Sequence, residues 1–300
     1  MDRQLGVRAL YVSICPRRSA VSVLDDQRLT EENVGEIICC PGGLELAGKV
    51  FHGDLSAVLT WRREMLRLGM QGFVSYQDGV ARGFVEYMPA EVAPFPIEAR
   101  GATVLMCYHW VPAVQEDELD HLAQEKRLVH KVIEEAAERF SGLATLGWDN
   151  PVHFPIPLLT ELGFRVLERD ESIALMWLPL RRRAPRPRLA PATFVPQDLS
   201  SQGLLAIESA WSSRCPYSIH NATKLEQALA GLPEEATVRI RHLPHRVDTH
   251  AEAVRWAIRP WNWEWAFANG EEIPIFRIKM EELQDLVAEK LAKLCEVDDG

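Results

Sequence analysis

The residue best placed for nucleophilic chemistry is Cys215, in the run Arg214-Cys215-Pro216-Tyr217-Ser218 directly ahead of a segment with helical spacing. A thiolate at a helix N-terminus beside a cation is stabilised by the dipole and the neighbouring charge, so a lowered thiol pKa is expected. Ser218 stands where a Cys-x-x-Cys motif has its second cysteine, which excludes an internal disulfide there and leaves monothiol exchange. Cys39 and Cys40 form a second thiol group, suited to a soft metal or metalloid, to nucleophilic attack, or simply to burial as small hydrophobes. Glu86 interrupts an apolar run. If it points into a cleft, burial raises its pKa and suits it to proton transfer; facing solvent, it does nothing. Glu91, past Pro89, is a second carboxylate candidate. Tyr87 is a candidate substrate contact beside Glu86, and His109, with Tyr108 and Trp110, closes an apolar segment where it either touches a ligand or sits satisfied in the core. No set has metal-site spacing: Cys39 and Cys40 are adjacent, and His242, His245 and His250 are loosely spread, so no metal is expected.

The totals bound what these residues can serve. Three hundred residues, 47% of them hydrophobic, suffice for two ordinary cores. Forty-three acidic against 33 basic residues give a formal charge of −10, which argues against nucleic acid as a partner. No apolar run approaches the roughly 20 residues of a membrane span, and the start lacks a signal layout, so a cytoplasmic protein acting on a small-molecule substrate is expected. Six scattered cysteines read as reduced thiols rather than a disulfide framework.

The elements that must position these side chains divide at Pro179 to Pro196, where arginines alternate with prolines and neither a helix nor a central strand can continue. A solvated connector at 181–199 is expected, between units at 1–180 and 200–300. In the second unit the pattern predicts a strand at 204–209, a helix at 217–229, a strand at 237–243 and a short helix at 251–257. The alternating run Trp261, Trp263, Trp265 and Phe267 then predicts a strand, Asn269-Gly270 a tight turn, 273–278 a return strand, and 280–294 an amphipathic helix. The first unit predicts a helix at 61–68, strands at 72–76 and 83–87 around Asp78-Gly79, and a buried strand at 103–111. A long helix from Leu119 to Phe140, a strand at 144–147, a helix at 155–162 and a strand at 173–177 complete it.

Gly83-Phe-Val-Glu-Tyr-Met-Pro89, the strand ending at Trp110-Val111, and Leu159-Thr-Glu-Leu-Gly-Phe164 resemble the GNAT N-acetyltransferases. Ile38-Cys-Cys-Pro-Gly42, Glu86-Tyr-Met-Pro-Ala-Glu91 and Cys215-Pro-Tyr217 are similar to the YoaP-like subgroup, in which a GNAT domain precedes a small C-terminal domain. The element order of the second unit resembles the thioredoxin fold, with Pro260 where that fold carries a cis proline. The fold implied is α/β, a GNAT-like mixed sheet domain followed by a smaller thioredoxin-like domain. The resemblance implies acyl transfer from acetyl-CoA to an amine, with the thioester in a splay between the fourth and fifth strands. It makes Glu86 the proton relay, Trp110, Val111 and Asn150 cofactor contacts, and the C-terminal domain a source of a thiol, a lid or a protein-partner surface.

One segment departs from that pattern. The family grips the cofactor pyrophosphate with Gln/Arg-x-x-Gly-x-Gly/Ala, whereas the corresponding Pro112-Ala-Val-Gln-Glu-Asp-Glu-Leu-Asp-His121 has no glycine and carries Glu116, Asp117, Glu118 and Asp120. Carboxylates at a helix entrance repel a phosphate. The sequence therefore leaves three readings: an acyltransferase-like protein with a degenerate cofactor loop, a non-acetylating binding protein on the same fold, and a thiol-dependent enzyme using Cys215 or Cys39 and Cys40.

Overall fold

The computed structural model describes residues 23–36, 38, 47–111, 118–149, 154–170, 173–256, 266–275 and 278–298. Cys39, Cys40, Asn150, the connection at 112–117, Pro260 and the tryptophans at 261, 263 and 265 lie outside them.

A seven-stranded mixed sheet fills the first half. It comprises β1 (Leu24–Arg28), β2 (Gln71–Gln77), β3 (Val80–Pro89), β5 (Thr103–Trp110), β6 (Gly142–Trp148), β7 (Arg165–Asp170) and β8 (Ile173–Pro179), ordered β1-β2-β3-β5-β6-β8-β7. Asp78 and Gly79 take φ of 52° and 80°, the two left-handed positions that let β2 turn directly into β3. Helix α1 (Ser56–Arg67) buries Val58, Trp61, Arg62 and Met65, one stripe at helical spacing that contains a charge. Helix α2 (Glu118–Arg139) joins β5 to β6 and buries Leu128, Val129, Val132 and Ala136. That long crossover is what makes β5 and β6 parallel in an otherwise antiparallel sheet. Helix α3 (Ile156–Glu161) packs Leu158 and Leu159 beneath β6 and β8.

The basic connector is not wholly solvated. Arg188–Leu189 forms β9 and pairs with β4 (Ile97–Glu98), while Leu189 N donates to Glu168 and Ala190 N to Pro96 O.

A second sheet follows, ordered β11-β10-β12-β13 from β10 (Leu205–Trp211), β11 (Ile240–Arg246), β12 (Ala266–Ala268) and β13 (Glu271–Glu272). Strands β10 and β11 are parallel, linked through α4 (Pro216–Ala230) and the turn α5 (Glu234–Thr237). Helix α6 (His250–Arg255) follows β11, and α7 (Met280–Asp298) closes the chain against α4. The order strand, helix, strand, helix, hairpin, helix is that predicted from the sequence. Asn269 and Gly270 adopt φ of 45° and 84°, and the Asn269 amide ties the turn to Leu199, Leu204 and Ala206. Two details differ. The second strand begins at Ile240 because Glu234–Thr237 folds as a helical turn first, and the return strand is Glu271–Glu272, directly after the turn, rather than the expected 273–278, where Pro274 has no N–H to donate.

Each sheet has its own hydrophobic core, and a third cluster joins them: Ile38, Phe51, Leu55 and Val58 close on Ile219 of α4. Among the described residues no helix is long and apolar enough to cross a membrane.

Candidate functional site

Two irregularities of the large sheet occur at one place. In the β3–β5 ladder Glu86 pairs with Cys107 and Tyr87 with Leu105, so Met106 is an extra residue without a partner on β3. A bulge of this kind bends the strand that carries it and increases its twist. On its other side β5 is paired to β6 at only two positions, Thr103 with Leu143 and Val104 with Ala144, and the ladder ends just before the bulge. Beyond it the Thr145 hydroxyl still reaches Leu105 O at 2.9 Å. From Leu105 to Trp110, β5 therefore has no ladder partner on β6 among the described residues, and Trp110 N donates instead to Glu125 Oε1 at 3.4 Å. Tyr108 lies on this stretch, 3% exposed, its ring edge-on to Phe154 at 4.6 Å and its hydroxyl without a hydrogen-bond partner among the described residues. Burial, with Glu125 nearby, drives its pKa well above the ordinary phenol value.

Glu86 sits opposite the bulge and is only 1% exposed. Its Oε1 lies 2.9 Å from Nη2 of Arg62, itself fully buried on α1. Arg62 stacks over the Phe84 ring at 5.0 Å and donates to Val34 O at 3.3 Å. Burial raises the carboxyl pKa, and the charges of Arg62 and Arg214 pull it back.

Arg214 comes from the second sheet's unit. It lies over the Phe95 ring at 4.6 Å, and burial lowers its pKa against the opposing pull of Cys215, Cys107, Glu86 and Asp248. Asp248 holds the loop around it: Oδ1 accepts from Ser212 Oγ at 3.0 Å and Ser213 N at 2.7 Å, and its carbonyl accepts from Trp61 Nε1 at 3.1 Å. His250 Nδ1, 2.9 Å from Ala93 O, adds a second link between the units. Glu86, Arg62, Cys107, Arg214 and Cys215 thus form one electrostatic node contributed by both halves of the chain.

Cys215 is the N-cap of α4, with Pro216 at the first helical position. The backbone N–H groups of Tyr217 and Ser218 and the charge of Arg214 favour its thiolate, but burial outweighs them and pushes the thiol up. This runs against the lowered pKa expected from the sequence, because the dipole and the cation act on a half-buried group whose loss of solvent is the larger effect. Ser218, in the second-cysteine position, accepts from Ser212 N at 2.8 Å and closes the β10–α4 loop.

The remaining candidates are dispersed. Tyr87 points to the α2 side of the sheet, its hydroxyl on Gln71 at 2.8 Å, away from Glu86. Glu91 accepts from Gly101 N at 2.7 Å and braces a loop. Trp110 is fully buried over Gly83, and Val111 N donates to Arg82 O at 2.6 Å; both anchor the end of β5. His109 meets His121 and Glu125 of α2. A surface cavity of about 300 Å³ opens between Arg28, Gln71, Glu135 and Arg139, where β2 meets α2. Arg62 carried no sequence signal beyond a charge at a core-facing helical position, and Arg214 figured only as the neighbour of Cys215.

No family model and no curated protein matches the chain. Among solved structures, aminoglycoside 6'-acetyltransferase type Ii aligns over 53% of this chain and 99% of its own, at 15% identity and a TM-score of 0.40. An N-acetyltransferase from Staphylococcus aureus Mu50 aligns over 53% and 98%, at 10% identity and 0.38. A GNAT family acetyltransferase from Brucella melitensis, solved in complex with acetyl-CoA, aligns over 57% and 97%, at 13% identity and 0.37.

Proposed function

We propose that the protein is a GNAT-type acyltransferase-like enzyme for a small amine, built as units at 1–180 and 200–300 joined by 181–199. The second unit is thioredoxin-like, as in the YoaP-like subgroup, and acts as a lid. The observation that carries this reading is the opening of β5 from β6 at the Met106 bulge. A strand that its neighbour in the sheet does not pair can take an added strand. An extended chain carrying amides, such as the pantetheine arm of acetyl-CoA, would suit this stretch of β5.

Bound there, acetyl-CoA would supply the activated acetyl group, and Glu86 is the group placed to accept the acceptor amine's proton. The charge of Arg62 opposes the effect of burial on Glu86 and favours its ionised form. In the closed arrangement Arg214 and Cys215 cover it, so the acceptor enters only when the 212–218 loop lifts. The acidic, glycine-free segment at 112–121 gives the cofactor's pyrophosphate no ordinary cradle, which makes the strand edge the main grip.

Calorimetric titration with acetyl-CoA tests the binding half: saturable heat is expected, and silence at millimolar cofactor refutes it. Turnover of an amine panel tests the rest, with Glu86→Gln expected to lower kcat/KM by about 10²–10⁴-fold. Cofactor binding without any turnover would favour the non-acetylating binding protein instead.

A further inference from the structure

We propose that His109, His121 and Glu125 form a binding site for a borderline divalent cation of the zinc type. The site is independent of the acyl-transfer reading. His121 and Glu125 are one helical turn apart on α2, and His109 comes from the end of β5. Their ligand atoms, His109 Nδ1, His121 Nε2 and a Glu125 carboxylate oxygen, all lie within 4.8 Å of one another. Glu125 Oε1 is 3.3 Å from His109 Nδ1 and 3.2 Å from His121 Nε2.

Those separations discriminate between two arrangements. Imidazolium donating to carboxylate closes to about 2.7–2.9 Å. In a tetrahedral site with bonds of about 2.0–2.1 Å, the edge between two ligand atoms is the bond length times 1.63, or about 3.3 Å. Both contacts match the tetrahedral edge and are long for charged hydrogen bonds. The two imidazoles cross at 68° with centroids 5.7 Å apart, an edge contact rather than a stack.

The surroundings suit a partly desolvated ion. Glu125 is 7% exposed, with Trp110 N donating to the same oxygen at 3.4 Å, and Leu122 packs against the core on the intervening turn. Such backbone support orients a ligating carboxylate. The histidine side chains are 18% and 23% exposed, which leaves access from solvent. Two nitrogens and one oxygen favour zinc-like ions over calcium or magnesium, and three protein ligands leave a fourth position for water or an anionic oxygen. The set joins two elements and has no compact motif, so it is invisible to a search by spacing.

The test uses the full chain, stripped with a chelator and titrated with Zn²⁺ by calorimetry and with Co²⁺ by visible absorption. One equivalent is expected, with the intense d–d bands of tetrahedral cobalt. His121→Ala and Glu125→Gln should each weaken binding beyond the roughly 10–100-fold that losing an outer-shell partner costs. Cys107→Ser and Cys215→Ser should leave it unchanged. No binding by the wild type, wild-type affinity in both ligand variants, or loss only in the cysteine variants would overturn the site. Thermal unfolding of the metal-free variants shows that each is folded; should buried Glu125→Gln misfold, the more exposed His121→Ala decides.

Discussion

Replacing Arg62 by Met removes the positive half of a buried pair while keeping most of its side-chain volume. Both side chains are almost fully excluded from solvent, and Nη2 lies 2.9 Å from Glu86 Oε1. At an effective dielectric of about 20, unit charges at that distance attract by about 6 kcal/mol, partly offset by desolvation. Removing one partner of such a pair costs about 3–5 kcal/mol because the other charge stays buried. Arg214 still acts on Glu86, which places the expected loss near 3 kcal/mol. The loss should depend on pH. The folded-state pKa of Glu86 is already raised by burial, and without Arg62 it rises further. A carboxyl whose folded pKa exceeds its unfolded value, about 4.3, contributes stability below that value and loses it as pH climbs through the folded pKa. The destabilisation should therefore be larger at pH 8 than at pH 5, as measured by urea unfolding. The double variant Arg62→Met/Glu86→Leu should recover most of it. A single-variant loss below about 1 kcal/mol, no pH dependence, or a double variant no more stable than the single one would refute the reasoning.

Two other outcomes follow from local geometry. Burial pushes the Cys215 thiol up, so its alkylation by iodoacetamide should show a midpoint above the ordinary value of about 8.5; a midpoint below neutrality would mean the thiolate is stabilised after all. A Cβ on Gly142 would come 2.0 Å from the buried Trp177 ring, so Gly142→Ala should cost about 1–3 kcal/mol in urea unfolding, and a change under about 0.5 kcal/mol would refute the close approach.

What could be read from the sequence was governed by how local its cause is. The Asp78-Gly79 and Asn269-Gly270 turns were legible because the required backbone conformation belongs to the two residues themselves. The helical stripe of α2 was legible because its apolar spacing repeats. Strand β1 was not: Leu24-Asp-Asp-Gln-Arg28 is polar after its first residue and exists through pairing with β2 and the contacts of Asp26 with Arg127 and Lys131, all distant in sequence. The Met106 bulge was hidden for the opposite reason. Val104, Leu105 and Met106 are uniformly apolar, so nothing marks the residue that slips from register.

The site shows the same division. Glu86 stood out as a carboxylate in an apolar strand, but its partner did not, because an arginine on a helix face is ordinarily read as solvated. What makes Arg62 different is the second unit. Trp61 beside it donates to the Asp248 carbonyl, and Asp248 in turn fixes the loop that delivers Arg214. Helix α1 is therefore anchored from both sides: Met65 packs in the core of the large sheet, Val58 meets Ile219 of α4 through the third cluster, and Trp61 reaches the β11–α6 loop. The charge state of Glu86 depends on two arginines from opposite ends of the chain, brought together by contacts that no local pattern encodes. If the 212–218 loop lifts to admit a substrate, Arg214 goes with it. The carboxylate then loses one of its two cations at the moment the acceptor amine arrives, which makes it more basic when a proton has to be taken.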